Sequence, residues 1–393
     1  MRLKRLDILR CIAVLLVLQS HSELPSRLTL GGYVGVDLFF VLSGFLISGL
    51  LFTEYKQRQA INFGRFFIRR SLKIYPSYYV LVMVTILYHF RVHQVVSLGR
   101  YIGEIIYIQN YTGPLWLHEW SLAVEEHFYI LLPILFLLLI RLSPRRENPF
   151  RAVPSTFLLV ALACFAARVE MVSRFSSQEL QDWSNYGLIY APTHNRLDGL
   201  FFGVFLGYLQ HFRSDFLQSL LCRKSVLVGA AFLSALLLSP ALLLPQRNKV
   251  MVTAGLTASY LGFGILLMLS LHVRGILPGF VARPCSALGD GLAAIGMYSY
   301  SIYLWHEPVR VVGFALIRRL LGFPLGPWVH FFVYLTATIL VGVTFSRLVE
   351  YPILKLRDRF LPGIPKTASA TQAEKNADWQ PDQPPLTNSL ASD

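Results

Sequence analysis

Ten apolar stretches dominate the chain, near residues 6–24, 33–53, 74–92, 122–141, 153–172, 197–212, 224–244, 250–272, 287–316 and 328–350. Runs of this kind cross a hydrocarbon core of about 30 Å as helices. The sixth is short and the ninth is long and polar. Composition agrees: 54% of residues are hydrophobic, 15% are charged and the mean hydropathy is +0.51. A water-soluble domain of 393 residues could not carry that balance on its surface. The expected fold is all-α, a polytopic membrane protein of about ten transmembrane helices.

Lys and Arg are distributed unevenly between the connecting segments. Arg2, Lys4 and Arg5 precede the first span; Lys56, Arg58, Arg65, Arg69, Arg70 and Lys73 lie between the second and third; Arg141, Arg145, Arg146 and Arg151 follow the fourth. The alternate segments carry few, such as Arg27, or Arg91 with Arg100. By the positive-inside rule both termini are cytoplasmic. The net charge of +14 is largely this asymmetry, which suits anionic lipid and phosphate and not nucleic acid. No cleavable signal is expected, because the first span holds Arg10 and His21 and no small-residue cleavage site follows. Residues 1–360 read as one membrane domain, and 361–393, rich in Pro, Gln, Ser and Thr, as a disordered cytoplasmic tail. Cys11, Cys164, Cys222 and Cys285 show no short pairing spacing, so neither a disulfide nor a metal site is expected.

Arg10 and His21 are eleven residues apart, three turns of an α-helix, and so share a face about 16 Å apart. Cationic groups in a span are costly unless they face a polar interior, which marks this face as a working site.

Six segments, in order along residues 5–352, resemble the acyltransferase-3 family of integral-membrane acyltransferases. They are Arg5-Leu-Asp-Ile-Leu-Arg10 with His21; Gly35-Val-Asp37-Leu-Phe-Phe-Val-Leu-Ser43-Gly44-Phe45; Phe67-Ile-Arg69-Arg70-Ser-Leu-Lys73-Ile-Tyr75-Pro76; Trp120-Ser121-Leu-Ala-Val-Glu125-Glu126-His127-Phe128-Tyr129; Arg196-Leu-Asp198-Gly199; and Ser299-Tyr300-Ser-Ile-Tyr303-Leu-Trp305-His306. Lys73 stands where Arg is commoner in the family and His127 where Gln is common. The resemblance implies transfer of an acyl group, usually acetyl, from cytoplasmic acyl-CoA to a hydroxyl of a glycan or glycolipid, in the multi-pass inner membrane of a bacterium. Membrane lipids, the acyl-CoA donor (acetyl-CoA) and the glycan acceptor are the expected partners. Some relatives carry an extra C-terminal esterase-like domain, for which no room is expected here.

Within that frame His21 is the candidate general base, since imidazole titrates near working pH. Direct transfer with His21 as base is preferred over an acyl-histidine intermediate, though the residues alone do not separate the two. Arg10 binds a donor phosphate, stabilises the thioester oxyanion or anchors at the lipid surface. Arg69, Arg70 and Lys73 are candidates for the donor phosphates. Asp37, Glu125, Glu126, Arg196 and Asp198 map to the level of His21 and are expected to form one polar chamber. There Asp37 or Glu125 would orient His21, while Glu126, Arg196, Asp198, Tyr300, Tyr303 and His306 would meet the acceptor. Adjacent Glu125 and Glu126 point about 100° apart, so one of them faces inward. Ser43 is expected to bond within the bundle, and Trp116 and Trp120 to anchor at the interface. A transporter or flippase is the competing function, because buried charges among ten helices also suit a solute path.

Overall fold

The computed structural model describes residues 4–25, 29–143, 148–272, 279–322 and 325–362, and every regular element among them is helical. The tail expected over 361–393 therefore falls almost entirely outside the described residues. The principal helices are α1 (Lys4–Ser20), α2 (Gly35–Arg58), α3 (Phe63–Arg91), α4 (Trp120–Leu142), α5 (Val153–Ser173), α6 (Leu197–Phe212), α7 (Lys224–Leu243) and α8 (Leu256–His272). They are followed by α9 (Gly279–Met297), α10 (Ser299–Pro308), α11 (Phe314–Leu321), α12 (Pro327–Phe345) and α13 (Tyr351–Phe360).

Seven helical stretches among the described residues are long and apolar enough to cross a membrane: 32–58, 63–91, 117–142, 153–173, 224–243, 251–272 and 327–360. The ten expected spans include three more regions that are helical but are not among these seven. The first ends at Ser20 after 17 residues and the sixth has 16. The long ninth breaks into α9 and α10 at Tyr298, then passes through a π-helical turn, Val309–Gly313, into α11. All three regions carry polar residues. Arg10 and Asp7 occupy α1, Asp198 the start of α6, and His306 and Glu307 the end of α10.

Small residues set the closest approaches. A Cβ on Gly44 of α2 would collide with the Leu200 carbonyl of α6, and one on Gly296 of α9 would collide with the Asp7 carbonyl of α1. Backbone-to-backbone contact of this kind replaces the hydrophobic drive that lipid cannot supply between helices. It holds α1, α2, α6 and α10 around a centre in which Leu18, Leu38, Phe40, Tyr129 and Ile302 are no more than 1% exposed. Outer helices such as α7 instead leave Val228, Phe232 and Leu243 exposed, as lipid-facing surfaces do.

Candidate active site

Helix α1 stops at Ser20, where the run Ser-His-Ser-Glu-Leu-Pro offers no further apolar face. His21 thus lies one residue beyond the helix, and its own ring finishes the cap. His21 Nδ1 lies 2.9 Å from the Val17 carbonyl. A carbonyl only accepts, so Nδ1 carries the proton and Nε2 keeps the lone pair.

That lone pair points at Glu307, with Nε2 3.5 Å from Glu307 Oε1. Glu307 is 2% exposed and its carboxylate is held from behind by Arg310, with Oε2 2.7 Å from a guanidinium nitrogen and 3.1 Å from Nε. The spacing of three residues puts both on one side of α10, where the π-helical turn begins. His306 packs edge-on to His21 with ring centroids 4.9 Å apart, and its Nδ1 lies 2.5 Å from the Tyr303 carbonyl. A third imidazole, His118, lies 4.4 Å from the His306 ring and meets the Leu304 carbonyl through Nε2 at 3.2 Å. Tyr303 closes the floor, its hydroxyl 2.6 Å from Ser121 Oγ and 3.0 Å from the His118 carbonyl.

The carboxylates expected beside His21 lie elsewhere. Asp37, in the first turn of α2, pairs with Arg196 at 2.7 Å, and that guanidinium lies over Tyr190 at 4.6 Å and Trp120 at 5.5 Å. Asp198 pairs at 2.7 Å with fully buried Arg168, which also donates to the Asn195 carbonyl and to Thr257, each at 2.7 Å. Both acids begin helices, where the dipole favours negative charge. Glu125 belongs to a third group. Arg70 lies 3.8 Å from Glu125 Oε2, stacks on the Tyr129 ring at 4.0 Å and hydrogen-bonds the Tyr129 hydroxyl, which donates to Glu125 at 2.5 Å. Arg10 and Lys73 act on the same carboxylate through their charges. Glu126 instead accepts from Tyr75 at 3.2 Å, as expected for neighbours that diverge by a third of a turn. Tyr300 caps the group by donating to the Ile74 carbonyl at 2.9 Å.

The single chamber expected from helix-end positions is therefore three groups: the histidine trio with Glu307 and Arg310, the Arg70–Tyr129–Glu125 network, and the buried Asp37–Arg196 and Asp198–Arg168 pairs. Arg69 and Arg70, expected together, diverge because they are consecutive on a helix. Arg69 faces Asp358 of α13 at 3.2 Å. Arg10 hydrogen-bonds Asp7 at 2.9 Å. Ser43 bonds Tyr129 at 2.5 Å, inside the bundle as expected. Trp116 and Trp120 do not anchor at an interface: they are 9% and 7% exposed, and Trp116 Nε1 donates to Thr85 at 2.7 Å.

Glu307, Arg310, His118, Tyr129 and Arg168 escaped the sequence reading. The first was detectable, being a carboxylate in an apolar run directly after His306 with an Arg three residues on. Arg168, with Glu170 one of two charged residues in an otherwise apolar span, was a comparable signal.

Comparison with known proteins places this geometry in a family context. The acyltransferase-domain family, acyltransferase-3, matches residues 3–347. An O-acetyltransferase OatA of Staphylococcus aureus is 26% identical over 385 residues, covering 93% of this chain and 59% of the relative. A peptidoglycan O-acetyltransferase OatA of Listeria monocytogenes is 27% identical over 372 residues, covering 89% and 55%. The chain thus spans little more than half the length of these relatives. No solved structure matches it.

Proposed function

The chain belongs to the acyltransferase-3 family over residues 3–347, and on that premise we propose that it is a membrane O-acetyltransferase. It takes acetyl from acetyl-CoA on the arginine-rich side and delivers it to a hydroxyl of a glycan, with peptidoglycan or a related surface polymer as acceptor. The names of the relatives support the reaction type and the acceptor class. The observation that carries the chemistry is the His21 imidazole, with Nδ1 committed to a carbonyl and Nε2 free beside a buried, arginine-braced carboxylate.

In the proposed step the acceptor oxygen attacks the thioester carbonyl carbon while His21 Nε2 removes the hydroxyl proton. The C–S bond breaks as the tetrahedral centre collapses, and coenzyme A leaves as the thiolate. Glu307 stabilises the imidazolium, and Arg310 keeps Glu307 ionised and in place. Arg10, whose charge reaches Glu125, is suited to the donor carbonyl or a donor phosphate. Arg69, Arg70 and Lys73 supply positive charge along the path a polyanionic donor must take. This two-ended arrangement of cations and base favours group transfer over a solute pathway.

Purified protein in lipid vesicles, given labelled acetyl-CoA and a glycan acceptor, should transfer label to base-labile esters on the acceptor. Absence of acetyl esters in wild-type and deletion-strain glycans alike would overturn the acceptor assignment.

A further inference from the structure

His306 Nε2 is buried and has no hydrogen-bond partner, which is costly for a ring nitrogen carrying a lone pair. The cause is geometric. Its Nδ1 faces the Tyr303 carbonyl, just as His21 Nδ1 faces that of Val17, so both rings are fixed in the same tautomer with Nε2 lone pairs turned inward. Both lone pairs meet the same carboxylate oxygen: Glu307 Oε1 is 3.5 Å from His21 Nε2 and 3.9 Å from His306 Nε2. Three electron-rich atoms converge with no proton assigned between them. They lie within 4.8 Å of one another.

We propose that His21 Nε2, His306 Nε2 and Glu307 Oε1 form a binding site for a divalent transition-metal ion of the Zn²⁺ class. The donor set is two imidazoles and one carboxylate, the composition that suits zinc with a fourth position left open. Ligand distances of about 2.0–2.2 Å require the three atoms to close slightly, within reach of side-chain rotation. The outer contacts are those of ligating residues: each ring is held through its other nitrogen by a backbone carbonyl, and the carboxylate by Arg310. Arg310 also places positive charge beside the ion, which weakens binding relative to a site of the same ligands without it. His118 Nδ1, buried and unpartnered one ring away, is the nearest candidate for a fourth donor. Because the ion would take the His21 lone pair, binding should switch transfer off; that consequence, unlike the site itself, rests on His21 being the base. Cysteine spacing gives no sign of this site, because its ligands are two histidines and a glutamate and His21 meets the other two only in the folded chain.

The test uses the full chain in detergent, titrated calorimetrically with Zn²⁺ and followed by absorption with Co²⁺. One equivalent should bind, with visible Co²⁺ bands of a four-coordinate N/O site and no thiolate charge transfer. His306→Gln and Glu307→Gln should each weaken binding at least tenfold, while Cys222→Ser leaves it unchanged. Matched elution profiles and melting temperatures establish that the variants are folded. Absence of stoichiometric binding, or binding unaffected by both variants, would overturn the site. Zn²⁺ that binds at the three residues without inhibiting transfer would instead overturn the base assignment and leave the site standing.

Discussion

In the proposed reaction His21 carries the chemistry because its two ring nitrogens are unlike: one is tied to Val17, the other faces Glu307. Loss of a general base typically costs 10²–10⁴ in rate, so His21→Ala should reduce acetyl transfer at least a hundredfold at matched membrane levels. His21→Gln keeps hydrogen-bonding capacity but cannot take a proton, and should be equally impaired; substantial turnover by this variant would show that the side chain only positions the acceptor. Glu307 was missed although it directly follows His306, because a motif read residue by residue stops at its last quoted letter. Its pairing with His21 joins chain ends that no local spacing connects.

Elements explain which expectations transferred and which did not. Helical periodicity predicted that Glu125 and Glu126 would diverge, and they do; it could not predict which helix each would meet. Arg196 and Asp198 were visible as polar residues at the start of a span, but their partners Asp37 and Arg168 come from α2 and α5. Trp116 and Trp120 looked interfacial because they stand at the start of an apolar run. The bundle instead buries them, Trp120 against the Arg196 guanidinium. The α5–α6 pair makes a stability prediction. Arg168 is fully buried with Asp198 as its ionic partner, so Arg168→Ala leaves an uncompensated carboxylate and should cost about 3–5 kcal/mol. Arg168→Met with Asp198→Asn should recover most of that loss in thermal unfolding in detergent. Equal destabilisation of the single and double variants would assign the cost to packing and not to charge. Helix α3 makes a kinetic one. Arg69 lies at the arginine-rich end beside α13, so Arg69→Gln should raise the KM for acetyl-CoA about tenfold or more while largely sparing kcat, given about 1.5–3 kcal/mol for a charged hydrogen bond. Unchanged donor dependence would leave Arg69 as a clamp on α13 alone.

The proposed reaction requires the whole molecule to bring a donor from one face and an acceptor from the other to one reacting centre, so the topology decides whether that chemistry is possible. Arg10 lies within α1 and His21 one residue beyond its end. Ten crossings would put the turn at Ala60 and residue Lys355 on the same side as the N-terminus, with Gly113 and Gln246 opposite. By the positive-inside rule the concentration of Lys and Arg around the first pair predicts the cytoplasmic side for it. Seven crossings, the number met by length alone, would put the two ends of the chain on opposite sides. The difference is the status of α1, α6 and the broken α9–α10 helix, whose polar residues shorten their apolar runs while building the site. A bundle that spends three crossings on polar residues can still insert, because those residues face one another and not lipid. Reporter fusions after Ala60 and Lys355 should therefore score cytoplasmic, and fusions after Gly113 and Gln246 extracytoplasmic. A cytoplasmic score at Gly113 would invert the third and fourth spans. It would place His21 on the donor's side and remove the basis for transfer across the membrane.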